Sequence, residues 1–148
     1  MEATYLFVYG TLLANVTNAW SADVRNNSTR LGKGSFTGRL FDLGAYPGAV
    51  LSDLPEERVF GEILQVTDDA EFWHRLDQYE GAIQRKEIAK LFTRETVSVW
   101  TESGQIIQAW VYLYHRDITG HPRIWTGDYL HRLRTEQFGG DTGNSMTI

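Results

Sequence analysis

Residues Tyr5 to Tyr9 are apolar without alternation, the pattern of a short strand buried on both faces, and Gly10-Thr11 breaks the run. Two more strand candidates, Ser35 to Leu43 and Arg58 to Val66, flank Gly44-Ala45-Tyr46-Pro47-Gly48. The glycines and proline of that segment mark a turn-rich loop, so the two strands are expected to pair. Thr93 to Thr101 and Gln105 to Tyr114 are rich in Val, Trp, Ile and Tyr and flank Glu102-Ser103-Gly104, which reads as a hairpin. The clearest helix starts at Asp68, with Glu71 three residues on. Its apolar positions Phe72, Leu76 and Tyr79 recur at helical spacing, and Gly81 is expected to stop it. Weaker helical patterns cover Asn15 to Arg30 and Trp125 to Arg134. The pattern predicts an α+β domain of five strands around one clear helix over residues 1–138, with a loose tail of small polar residues and glycine over 139–148.

Composition narrows the functional classes. A chain of 148 residues suits one domain with its own core, and the five Trp residues supply aromatic surface that a disordered chain lacks. With no Cys there is no disulfide framework, thiolate metal site or cysteine nucleophile. The apolar run at the start stops at Gly10, too early for a signal h-region or a membrane span, so a cytoplasmic protein without membrane contact is expected. A net charge of −5 and the lack of a clustered basic stretch argue against a nucleic-acid partner. A monomer or weak dimer is the default expectation.

Two places carry candidate chemistry. Gly10 after a buried strand permits a tight turn, leaving the amide N–H groups of Gly10, Thr11 and Leu12 free to converge on an anion such as a carboxylate. The alternative is a plain turn in which Thr11 caps the succeeding segment. Glu80 falls at the predicted C-terminal end of the Asp68 helix, where unpaired carbonyls penalise an ionised carboxylate and push its pKa upward. In an apolar cavity such a group could take and return protons near neutrality. Otherwise Glu80 is a solvated residue at a frayed helix end, and Asp77 and Glu71 compete with it but also read as polar helix positions. His74, His115, His121 and His131 have no paired metal-ligand spacing, so no metal is expected. Serine-elbow, phosphate-loop and dinucleotide-loop patterns are absent, so no cofactor is expected either. Tyr46, Tyr112 and Tyr114 either line a pocket or belong to the core.

Taken in order, Phe7-Val8-Tyr9-Gly10-Thr11-Leu12, Leu43-Gly44-Ala45-Tyr46-Pro47-Gly48-Ala49-Val50 and Leu76-Asp77-Gln78-Tyr79-Glu80-Gly81 resemble the gamma-glutamylcyclotransferase-like, or AIG2-like, family. The resemblance continues through Arg94, Ala109-Trp110-Val111-Tyr112 and Trp125-Thr126-Gly127-Asp128-Tyr129, so it spans nearly the whole chain except the tail. It implies a small, mostly antiparallel β-barrel flanked by helices, with a cavity where the Tyr9 to Leu12 loop faces the carboxylate carried over onto Glu80. It also implies release of 5-oxoproline from a small gamma-glutamyl substrate, with Glu80 catalytic, Tyr9, Gly10, Thr11, Leu12, Tyr46 and Tyr114 binding the substrate, and no cofactor. The sequence departs from the family in having Phe92 where a Tyr often precedes the Arg, and Leu13-Ala14-Asn15-Val16 where Gly and Asn usually come after the first loop. The rival expectation is an inactive module of the same fold that binds a small carboxylate.

Overall fold

A computed structural model describes residues 3–10, 19–44, 46–78 and 92–129. Its first strand, β1 (Thr4–Val8), lies between two neighbours and buries both faces, as its unbroken apolar run requires. Phe7 and Tyr9 point into a barrel, where they pack with Phe36, Ile63, Val97 and Val111. Leu6 and Val8 point outward beneath two short helices, α1 (Ala19–Asn26) and α2 (Ala70–Gln78), and meet Val24, Phe72, Trp73 and Leu76.

The barrel itself has five strands. The long β2 (Ser28–Asp42) pairs antiparallel with β4 (Arg58–Val66), as Phe36 opposite Val59 shows. β4 pairs antiparallel with β1, and β1 runs parallel to β6 (Ile106–Tyr114) at Leu6 and Trp110. β6 forms the expected hairpin with β5 (Phe92–Thr101), closed by a turn in which Gly104 takes φ +91°. β5 then meets β2 at Gly34–Thr101 and Ser35–Trp100, completing the ring. Two short strands, β3 (Pro47–Leu51) and β7 (Arg123–Ile124), flank the far half of β2 on its two sides. The architecture is the expected mostly antiparallel barrel flanked by helices.

Several boundaries differ from the sequence reading. The segment Asn15 to Arg30 is not one helix in its described part, because α1 ends at Asn26 and β2 begins at Ser28. An Asn27 side-chain amide bonded to the Asp23 carbonyl and carboxylate closes that helix. β3 falls where the sequence predicts loop, but Pro47 opens an edge strand, where a missing N–H costs nothing. α2 is capped by Asp69 rather than Asp68, its carboxylate accepting from the Glu71 N–H at 3.0 Å. The expected stop at Gly81 lies outside the described residues. Trp125 to Asp128 form a turn in place of the start of the expected second helix. Gly127 sits there at φ +71°, so close to the Arg58 carbonyl that a Cβ would stand 1.8 Å from its oxygen. The remainder of that helix and the tail 139–148 lie outside the described residues.

Candidate functional site

Tyr9 anchors the one end of the barrel to which the sequence assigns chemistry. Its hydroxyl donates to the Tyr112 carbonyl on β6 at 2.6 Å and accepts from the Ala49 N–H on β3 at 3.1 Å. One phenol therefore ties the outgoing end of β1 to two other strands just before Gly10. Burial pushes the Tyr9 phenol well above its ordinary pKa, and the hydrogen bond from Ala49 offsets only part of that rise. Tyr9 is thus a neutral structural pin whose ring belongs to the barrel core.

Tyr46 and Tyr114 lie at the same end. Tyr46 and Phe92 are buried against one another with ring centroids 5.8 Å apart, and Phe92 meets Tyr114 edge-on at 5.6 Å. Leu43 and Tyr112 complete this small apolar cluster, which is separate from the barrel core. The approach of β3 to β6 depends on Gly48, since a Cβ there would stand 2.6 Å from Leu43 Cδ1 and 3.1 Å from Tyr114 Cβ. Phe92 is the centre of the cluster.

A second group of residues joins α2 to the barrel. Arg94 on β5 forks onto Asp77 at 2.9 and 3.0 Å, and the Tyr112 hydroxyl donates to the same carboxylate at 2.7 Å. The guanidinium lies against both the Trp73 and Trp110 rings, 4.4 and 4.6 Å from their centroids, which are themselves 5.9 Å apart. Burial alone would raise the Asp77 pKa, but hydrogen bonds from Arg94 and Tyr112 and the Arg94 charge outweigh it and hold the carboxyl low. Burial, then hydrogen bonding to Asp77 and its charge, drives the Tyr112 phenol well above its usual range. Asp77 is therefore a fixed anion and a poor candidate for proton transfer near neutrality. Tyr112 belongs to both groups, its carbonyl held by Tyr9 and its hydroxyl by Asp77.

The structure brings Tyr9, Tyr46 and Tyr114 to one end of the barrel and places Gly10 immediately beyond β1. Thr11, Leu12 and Glu80 lie outside the described residues. Asp77 and Arg94 were each visible in the sequence, but their pairing was not, because the partners are 17 positions apart and meet only through the fold. A cluster around Glu57 gave no sequence signal at all. Its carboxylate accepts from Ser52 Oγ and from Arg39 Nε at 2.7 Å, and Arg123 stands 3.2 Å away. Hydrogen bonds from Ser52 and Arg39 lower its pKa to about 2. Among the described residues no helix is long and apolar enough to cross a membrane.

A closed five-stranded barrel whose β1 ends at an aromatic-lined rim, with a helix fastened outside, defines the class of fold. The chain belongs to the family described as Gamma-glutamyl cyclotransferase, AIG2-like, which it matches over residues 6–131. Solved structures agree. Protein ytfP from Escherichia coli is 28% identical with a TM-score of 0.60, covering 87% of this chain and 98% of its own. An AIG2-like protein from Mus musculus is 23% identical with a TM-score of 0.57, over 81% and 92% of the two chains. An uncharacterized protein from Pyrococcus horikoshii is 22% identical with a TM-score of 0.65, over 94% and 99%. No curated protein matches the chain.

Proposed function

We propose that this protein is a gamma-glutamyl cyclotransferase-type enzyme that releases 5-oxoproline and a free amine from a gamma-glutamyl amine, peptide or isopeptide. The observation that carries the reading is membership of the family over residues 6–131, a span that includes both the Tyr9 to Leu12 loop and Glu80. The Tyr9 pin supports it, because a loop required to grip a substrate gains from a rigid start.

In this reading the amides of Gly10, Thr11 and Leu12 hold the substrate's α-carboxylate, and Tyr46 and Tyr114 flank its carbon chain. The α-amine attacks the γ-carbonyl, so a new C–N bond closes a five-membered ring as the original γ-amide C–N bond breaks. No serine, cysteine or cofactor is needed, because the nucleophile is intramolecular. The substrate ammonium gives up two protons through Glu80, one before the attack and one as the ring nitrogen becomes the lactam N–H, and the departing amine takes both and leaves as an ammonium, so the carboxylate ends as it began. Glu80 comes two positions after Gln78, the last described residue of α2. The negative end of α2 would raise its pKa toward the working range.

The experiment is 5-oxoproline release, detected by mass spectrometry, from a panel of gamma-glutamyl amines, amino acids and peptides. Wild type should turn over at least one member, and folded Glu80→Gln should lose at least about a hundredfold in rate, the usual contribution of a positioned acid/base. Equal rates would refute the role of Glu80. One observation favours a second reading, a module that binds a small carboxylate without turnover. Phe92, buried between Tyr46 and Tyr114, offers that cluster no hydroxyl. Binding of 5-oxoproline with no release from any substrate would decide for it.

A further inference from the structure

The barrel has a second mouth, opposite the rim that holds Tyr9. A cavity of about 350 Å³ opens there among Tyr5, Leu31, Ile63, Glu102, Gln105 and Ile107. That volume lies at the lower end of the range for small-molecule sites.

The strand pattern explains why the described residues leave this end unfilled. Inward positions alternate along each strand, and Ile63 is the last large apolar plug on β4, only 2% exposed. Tyr5 and Ile107 pack above it, only partly buried. At the next level β2 offers Gly32, and β5 and the turn beyond it offer Thr101 and Gln105, all too small or too polar to close the barrel. A bulge between Arg30 and Gly32 leaves Leu31 half-exposed at the lip. Gly34 keeps β2 close to its neighbours, since a Cβ there would stand 2.8 Å from Ile63 Cδ1 and 2.9 Å from the Trp100 carbonyl.

Glu102 and Lys33 are the charged residues that line the mouth. Glu102 Oε1 leans over the opening, 4.0 Å from where a Cβ on Gly32 would stand. Its side chain makes no ion pair or hydrogen bond with any described residue. Lys33, the cation of the wall, is paired in register with Glu62 on β4, and alternation sets it on the outer side of the barrel. A free carboxylate beside a tyrosine ring, above an apolar floor, is complementary to a cation that carries a hydrocarbon chain.

We infer that this mouth is a binding site for a small organic ammonium with a short apolar chain, seated on Ile63 and Ile107 with its charge against Glu102 and the Tyr5 ring. The site is separate from the Tyr9 rim and stands whether or not 5-oxoproline is released there.

The test is a two-dimensional NMR titration of the full chain with n-butylammonium, and with 1-butanol and butyrate as probes of the same size. The ammonium should give saturable shifts at Tyr5, Ile63 and Ile107 and bind about two- to fivefold more tightly than the alcohol, the advantage of one exposed charge pair. Butyrate should bind more weakly than the alcohol. Glu102→Gln should bring ammonium and alcohol to the same affinity, and Ile107→Trp, which fills the floor, should remove the shifts for all three. Equal affinities for ammonium and alcohol in wild type would overturn the inference. So would shifts confined to Tyr46 and Tyr114, or no saturable shift at all in a protein whose spectrum shows it folded.

Discussion

Replacing Tyr9 by Phe tests the pin at the start of the candidate loop. The substitution removes one oxygen and leaves no cavity larger than that atom, so packing loss is small. Two hydrogen bonds vanish, one to the Tyr112 carbonyl and one from the Ala49 N–H. Ala49 has no exposed surface, so its N–H gains no water in exchange. An unsatisfied buried group costs about 1–3 kcal/mol, and part of the loss at the Tyr112 carbonyl adds to it, giving about 2–3 kcal/mol in all. For a chain of this size that is a fall in Tm of about 5–10 °C. Tyr5→Phe is the control, being the same chemical change on the same strand at a hydroxyl without a hydrogen-bond partner among the described residues. It should stay within about 0.5 kcal/mol of wild type. Urea unfolding monitored by Trp fluorescence reads both variants. A loss below about 0.5 kcal/mol for Tyr9→Phe would show that its hydroxyl is not the bridge between β3 and β6.

The same geometry sets three further outcomes. Arg94→Lys should destabilise the fold by about 2–3 kcal/mol in urea unfolding, because an ammonium can neither fork onto Asp77 nor lay a planar face against Trp73 and Trp110; a loss no larger than a surface substitution would refute the clamp. Tyr9 and Tyr112 have folded pKa values raised above the unfolded value of 10.0, so their contribution is full below pH 10 and lost as pH climbs toward the folded values. Tyr112→Phe should accordingly reduce the slope of stability against pH above 10 by about 1.4 kcal/mol per pH unit, and an unchanged slope would contradict its burial. Glu57 is lowered from 4.5 to about 2, so its contribution is present above pH 4.5 and lost as pH falls through about 2. Glu57→Gln should flatten the acid limb of a stability profile across that window, and a limb of wild-type steepness would exclude the cluster as its cause.

The barrel was legible because its strands advertise themselves. β1 lacks alternation for a physical reason, having the barrel core on one side and the helices on the other. β5 and β6 alternate cleanly where only their inner faces meet the core. β3 was not legible, since Pro47 and Gly48 carry the local signature of a loop and become a strand only because β2 offers them an edge. The first seven residues of β2 were missed for a related reason. Ser28 to Gly34 is polar and glycine-rich, and β4 supplies the pairing that local propensity does not. At the candidate site, Tyr9, Tyr46 and Tyr114 could be named from sequence order, while the forked contact of Arg94 with Asp77 required the fold to bring strand and helix together. The two hydrogen bonds that tie Tyr9 to β3 and β6 were likewise invisible in the sequence, because their partners lie 40 and 103 positions away.

The seam between β2 and β5 consists of only two residue pairs, Gly34–Thr101 and Ser35–Trp100, whereas the β5–β6 ladder runs from Phe92 to Trp100. Its partners are 67 positions apart at Gly34 and Thr101, so the entropy lost in closing that loop is about 4 kcal/mol, repaid by little local pairing. The ring is therefore closed at two short joints, this one and the single Leu6–Trp110 pairing of β1 with β6, and partial opening under native conditions begins at such joints. Amides flanking the β2–β5 joint should exchange with solvent before those of the β2–β4 ladder, which pairs nine positions from Ser28 to Thr37. Any ligand that bridges Tyr5 and Glu102 beside the joint would then act as a clasp, slowing its opening while leaving the rest of the barrel as it was.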